Sequence, residues 1–134
     1  MTKLNSVFLS YSPPDAELAR KIAAELTKSG LVPIDPASDL ALGDSWRNTI
    51  RRAVDRAQSL LVIVASPGAV GTGWSAYEIG MFDAAGKPVI VLASNSFPLS
   101  DLPVDILDNT VRTFDPSKPE SAARLVAGEI LAAA

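Results

Sequence analysis

The sequence predicts an α/β fold, a five-stranded parallel sheet with helices on both faces. Three observations predict it. Short apolar runs rich in β-formers recur along the chain. Between them lie segments with apolar residues three and four apart, the spacing of one helix face. One run, Leu60 to Ala65, is apolar at every position, which suits a central parallel strand covered on both sides.

Ser6-Val7-Phe8-Leu9-Ser10-Tyr11 reads as the first strand. Ser12-Pro13-Pro14-Asp15 reads as a helix start, with Ser12 as N-cap and Pro13 at the first helical position. That helix carries Leu18, Ile22 and Leu26 and ends near Gly30. Leu31 to Ile34 is a second strand. Pro33 cannot donate a ladder hydrogen bond, so this strand belongs at an edge. Residues 35 to 43 form a loop, and Asp44 or Ser45 caps a helix with Trp46, Ile50, Ala53, Val54 and Ala57 on one face.

After the third strand, Ser66-Pro67-Gly68 is a turn. A helix then opens around Gly73-Trp74-Ser75 and runs to about Gly86. Pro88 to Leu92 is a fourth strand, residues 93 to 109 are irregular, and Thr110 to Phe114 is a fifth strand. The last helix runs from Pro119 to about Leu131, with Ala122, Leu125, Val126 and Ile130 facing in.

Strands alternating with helices over short connections imply a doubly wound sheet of the flavodoxin-like order 2-1-3-4-5. Its switch point lies beyond the carboxyl ends of strands one and three, where ligands bind in this architecture. Ser10-Tyr11-Ser12 and Ser66-Pro67-Gly68 exit there. Glu78 follows directly and is the one charged residue between Ala57 and Phe82. On a helix Trp74, Glu78 and Phe82 share a face, so a carboxylate stands in a row with two aromatic rings. Such a carboxylate is a candidate for a shifted pKa and a functional role. Ser75-x-x-Glu78 also fits a capping box, a purely structural role.

Composition narrows the chemistry. The chain has 134 residues, expected to form a single domain over 1–134, and 48% of them are hydrophobic. A net charge of −3 argues against bulk nucleic-acid binding or attachment to an anionic membrane. There is no cysteine and no histidine, which excludes thiolate and imidazole metal sites, Cys nucleophiles and Ser-His-Asp triads. Chemistry must rest on carboxylates, hydroxyls, Lys, Arg or a cofactor, and no metal is expected. No apolar run reaches the roughly 20 residues of a membrane span, so the expected location is cytoplasmic.

The residues resemble those of the TIR (Toll/interleukin-1 receptor) domain over nearly the whole chain. Val7 to Ser12 is similar to that family's opening strand and its Ser-Tyr exit. Leu40, Ala41, Leu42 and Gly43 sit where the family has its exposed assembly loop. Ser66-Pro67-Gly68-Ala69 resembles the turn after its third strand, and Trp74-x-x-x-Glu78 matches the Trp and Glu of members that cleave NAD.

The resemblance implies an NAD glycohydrolase with NAD as substrate, no cofactor, and Glu78 as the catalytic carboxylate. Ser10, Tyr11, Ser12, Trp46 and Trp74 would bind the substrate. Many relatives carry a basic residue just after the Ser-Tyr, where this chain has Ser12, Pro13 and Pro14. Phosphate contacts would then fall to Arg47, Arg51 or a neighbouring subunit. The resemblance further implies other TIR domains as partners, in an oligomer or filament that forms on activation. It also implies a fused or associated sensor module and a role in bacterial antiphage defence. Three alternatives stand beside this reading: a synthase of a cyclic ADP-ribose isomer, a non-catalytic TIR–TIR adaptor, and a nucleoside deoxyribosyltransferase-like enzyme.

Overall fold

The computed structural model describes residues 6–35, 46–66, 73–96 and 110–133, with backbone alone at 46, 47, 49, 50, 73–77 and 133. Its elements are β1 (Ser6–Ser10), a 3-10 turn (Pro13–Asp15), α1 (Ala16–Lys28), β2 (Val32–Ile34), α2 (Trp46–Arg56), β3 (Ser59–Val64), α3 (Gly73–Ala84), β4 (Val89–Ser94), β5 (Thr110–Phe114) and α4 (Pro119–Ala133). They form one sheet of order β2-β1-β3-β4-β5. Every neighbouring pair is parallel. The expected doubly wound architecture is therefore the observed one, and Pro33 does lie on an edge strand, opposite Val7.

Strand alternation sorts the core into two layers. Phe8, Leu60, Val62, Val64, Val91 and Ala93 pack with Ala53, Val54, Ala57, Ile79 and Phe82 of the α2–α3 side. Val7, Leu9, Leu61, Ile63, Ile90 and Leu92 pack with Ile22, Leu26, Val126 and Ile130 of the α1–α4 side. All six residues of β3 and all six of β4 are buried, as expected for strands covered on both faces.

Two helix ends are closed by glycine in the left-handed region. Gly30 has φ 92° and Gly86 φ 72°. Each supplies the reversed bonds of a Schellman cap, Leu31 N–H to Leu26 O and Lys87 N–H to Phe82 O, at 3.0 and 2.9 Å.

Three sequence expectations are corrected. Ser12 does not cap with its side chain, and the α-helix begins at Ala16 after a 3-10 turn. The reason is chemical. Pro13 and Pro14 have no N–H to cap, and the first available N–H, that of Asp15, bonds the Ser12 carbonyl at 2.9 Å. Leu125 does not face in; it is 52% exposed. At about 100° per residue, the inward arc of α4 is centred on Val126 and Ile130, and Leu125 falls beyond it. The capping box also fails. Helix α3 begins at Gly73, which moves Glu78 into its second turn, away from the free N–H groups of the start.

Candidate functional site: a buried carboxylate at the switch point

Glu78 is 2% exposed, on the face of α3 turned toward the sheet. One helical turn on, Phe82 stacks on Phe8 of β1 with ring centroids 5.7 Å apart. Going up β1 by two residues leads from Phe8 to Ser10, while going back along α3 by four leads from Phe82 to Glu78. About 6.6 Å of strand thus matches about 6 Å of helix, and the two polar residues meet as the two rings do. The Ser10 hydroxyl hydrogen-bonds the Glu78 carboxyl. The ring pair contributes about 1 kcal/mol beyond its buried area and fixes the level at which Glu78 sits.

The electrostatics favour the protonated acid. Burial pushes the Glu78 carboxyl up to about 7, and the Ser10 hydrogen bond pulls weakly the other way. One carboxyl oxygen, Oε1, is buried with no hydrogen-bond partner among the described residues. Two residues above Ser10, the Ser12 hydroxyl is also buried and without a partner. Ser10, Ser12 and Glu78 thus place two unsatisfied polar atoms near the carboxyl end of β1, at the β1–β3 switch point. Buried polar atoms without partners are costly unless something else satisfies them.

The structure does not bring Tyr11 to this group. Tyr11 packs against the α1–α4 layer. Its hydroxyl donates to both carboxylate oxygens of Asp35 at 2.8 Å. Burial first, and that carboxylate second, push the Tyr11 phenol up to about 12. Trp46 and Trp74 begin α2 and open α3, but their side chains lie outside the described residues, as do Leu40, Ala41, Leu42 and Gly43. The Arg47 side chain is also outside them, and Arg51 is exposed.

One residue at this end of the sheet escaped the sequence reading. Asp15 is 2% exposed. It accepts the N–H groups of Ala65 and Ser66 at 3.1 and 3.3 Å and the Ser66 hydroxyl at 2.6 Å. The turn after β1 is thereby fastened to the exit of β3. A surface cavity of about 450 Å³ lies at the opposite end of the sheet, between Pro88, Thr110 and Arg112. The Arg112 charge is already paired with Glu129 at 2.7 Å. Glu78 does not line that cavity.

Fold and site define a doubly wound α/β domain with a buried carboxyl that has no charged partner among the described residues, at the β1–β3 switch point. The chain belongs to the TIR domain family, whose family model matches residues 7–126. Solved structures agree in fold. A conserved protein from Enterococcus faecalis V583 is similar over 90% of this chain and 98% of that one, at 14% identity and a TM-score of 0.62. The TIR-STING receptor of C. gigas in complex with 2',3'-cGAMP matches 87% of this chain at 16% identity and a TM-score of 0.68; this chain spans 38% of that receptor's length. The CMP N-glycosidase of Clostridium botulinum matches over 90% and 97% of the two chains, at 14% identity and a TM-score of 0.60. A search of curated proteins finds no match. Among the described residues no helix is long and apolar enough to cross a membrane.

Proposed function

We propose that this domain is an NAD glycohydrolase that breaks the bond between nicotinamide and ribose. The observation that carries the reading is Glu78, a carboxyl buried beside Ser10 with one oxygen unpartnered and no cation in contact among the described residues. A carboxyl so placed lacks a structural counter-charge and has an acceptor to offer a ligand.

The chemistry needs little else. The C1′–N bond breaks and its electron pair moves to the ring nitrogen, which neutralises the cationic pyridinium. Nicotinamide therefore leaves without a general acid. The ribosyl group becomes oxocarbenium-like, as in glycoside cleavage. The Glu78 carboxylate holds a ribose hydroxyl and stabilises the positive carbon. Water then adds to C1′ and loses a proton, giving ADP-ribose. Capture by a ring nitrogen of the adenine would give a cyclic product after the same first step. A positive ring beside Glu78 also favours the carboxylate, lowering its pKa from the value of the empty site. NAD is the substrate and the step calls for no cofactor.

An N-glycosidase among the solved structures of this fold supports the chemical class, for that protein with CMP. Membership in the TIR family supports self-association as the way activity is switched on, with the segment around Leu40 and Leu42 as the contact between domains. An assembly-activated effector in antiphage defence, working in the cytoplasm with a sensor module, fits that behaviour.

The test is nicotinamide release from NAD by concentrated protein, wild type against Glu78→Gln, with assembly followed by light scattering. Release is expected in the wild type and lost in the variant. Assembly without release in either protein would leave the adaptor reading standing.

A further inference from the structure

Three serine hydroxyls follow or end the neighbouring strands β1 and β3 at their carboxyl ends, and they are held differently. Ser10 bonds the Glu78 carboxyl. The hydroxyl of Ser12 has no partner among the described residues. Ser66 gives its proton to Asp15 Oδ1 at 2.6 Å. Asp15 itself cannot swing. Its other oxygen accepts the backbone N–H groups of Ala65 and Ser66, so the carboxylate is pinned by the chain it serves. A serine hydroxyl has one proton to give. With that proton committed to a fixed carboxylate, the Ser66 oxygen can only accept further hydrogen bonds.

Ser66 is placed to use that capacity. Along β3, Leu60, Val62 and Val64 face the Glu78 layer, while Ala65 packs on the other. Ser66 follows β3 at its carboxyl end, the end of the sheet that holds Ser10 and Glu78, and is half-buried. Ser10 is opposite Val62, four residues before Ser66. At about 3.3 Å per residue that is at most roughly 13 Å, the reach of a sugar and one attached ring.

We infer that Ser66, oriented by Asp15, is the acceptor that selects a leaving base bearing an exocyclic N–H donor, such as the carboxamide of nicotinamide. This rests on Glu78 being the carboxylate of N-glycosidic cleavage. Asp15 is a positioning residue: it touches Ser66 and sets the direction of its hydroxyl. Loss of one such bond changes discrimination about 5- to 10-fold.

The experiment compares NAD with its acetylpyridine analogue, in which a methyl group replaces the amide NH₂ and the carbonyl is kept. Base release is measured for wild type, Ser66→Ala and Asp15→Asn, with circular dichroism to verify folding. In parallel, free nicotinamide and free 3-acetylpyridine are titrated against the same proteins by NMR, which reads the base subsite without turnover. The wild type should favour the amide about 5- to 10-fold, and Ser66→Ala should bring the ratio to about one. Asp15→Asn can donate to Ser66 and free its proton, so the preference should vanish or turn toward the acetyl group. Base release with an unchanged ratio in Ser66→Ala overturns the assignment and leaves glycosidic cleavage intact. A binding preference that Ser66→Ala abolishes, with no turnover by any protein, keeps the base site and sinks NAD cleavage. A wild type that shows neither turnover nor preference overturns both.

Discussion

Glu78 and Glu25 are both buried glutamates, one on each side of the sheet, and their surroundings differ. Glu25, on α1, is 9% exposed and has cations at both oxygens: Arg124 at 3.2 Å and Lys28 at 3.8 Å. The Arg124 contact also ties α1 to α4. Glu78 is buried more deeply, meets a serine and no cation among the described residues, and keeps one oxygen unpartnered. A carboxylate that serves packing is neutralised by what it packs with. One that serves a ligand is left for the ligand to complete.

The widest separation between the two should appear in turnover. Glu78→Gln should lower nicotinamide release on the order of 100- to 1,000-fold. Glu25→Gln should leave release within about 2-fold, since it loses two ion pairs whose cations are largely exposed and lies on the other side of the sheet. Equal losses at both positions would mean that Glu78 acts only through stability, and the contrast would collapse.

Stability against pH sharpens the same contrast. The folded chain holds the Glu78 proton up to about pH 7, against an ordinary value of 4.5. Between those values the folded state binds more protons than the unfolded state, so stability falls as pH rises. The stabilisation is fully present below about 4.5 and gone by about 7. It amounts to a loss on the order of 3 kcal/mol. Urea unfolding between about pH 5 and 8 should show this slope in the wild type and not in Glu78→Gln. Parallel curves for the two proteins would show that Glu78 titrates like an exposed acid. Activity should move the opposite way, rising with pH as the carboxylate forms.

Ser10→Ala should act next in size. It removes the hydrogen bond that pulls the Glu78 pKa down. The midpoint of the pH–activity curve should therefore move further up, and release at pH 7 should fall several-fold. A midpoint that stays put would show that Ser10 is packed beside Glu78 without bonding it.

How much of this was legible in the sequence follows from how local each cause is. Strands are written in contiguous residues. Thr110 to Phe114 is read to the residue, and the sheet order follows from the alternation of elements. Glu78 was visible because an isolated charge in an apolar stretch is itself a local pattern. Asp15 was not, because the groups that define its role are fifty residues away in the chain; beside Ser12 and two prolines it reads as an ordinary helix start. The start of α1 was misread for a related reason. Ser12 is a good capping residue only where an N–H exists to be capped, and Pro13 and Pro14 remove it. The family resemblance likewise placed Ser10, Tyr11 and Ser12 in one pocket. In an extended chain neighbouring side chains point to opposite faces, and no motif written as a string of residues carries that information.

Tyr11 gives the finest test of the contrast between the two sides. Its ring belongs to the layer that holds Glu25, and its hydroxyl is engaged with Asp35 at 2.8 Å. Tyr11→Phe removes that hydrogen bond and keeps the ring. Folding stability should drop by about 1 kcal/mol, read as a small shift in the urea midpoint. Nicotinamide release should change by less than about 2-fold, with the pH midpoint unmoved, because nothing in the variant touches Glu78 or Ser10. A loss of release as large as that of Ser10→Ala would place Tyr11 in the crevice after all. The two faces of the sheet would then be coupled through β1, and burial of Glu78 alone would no longer account for the site.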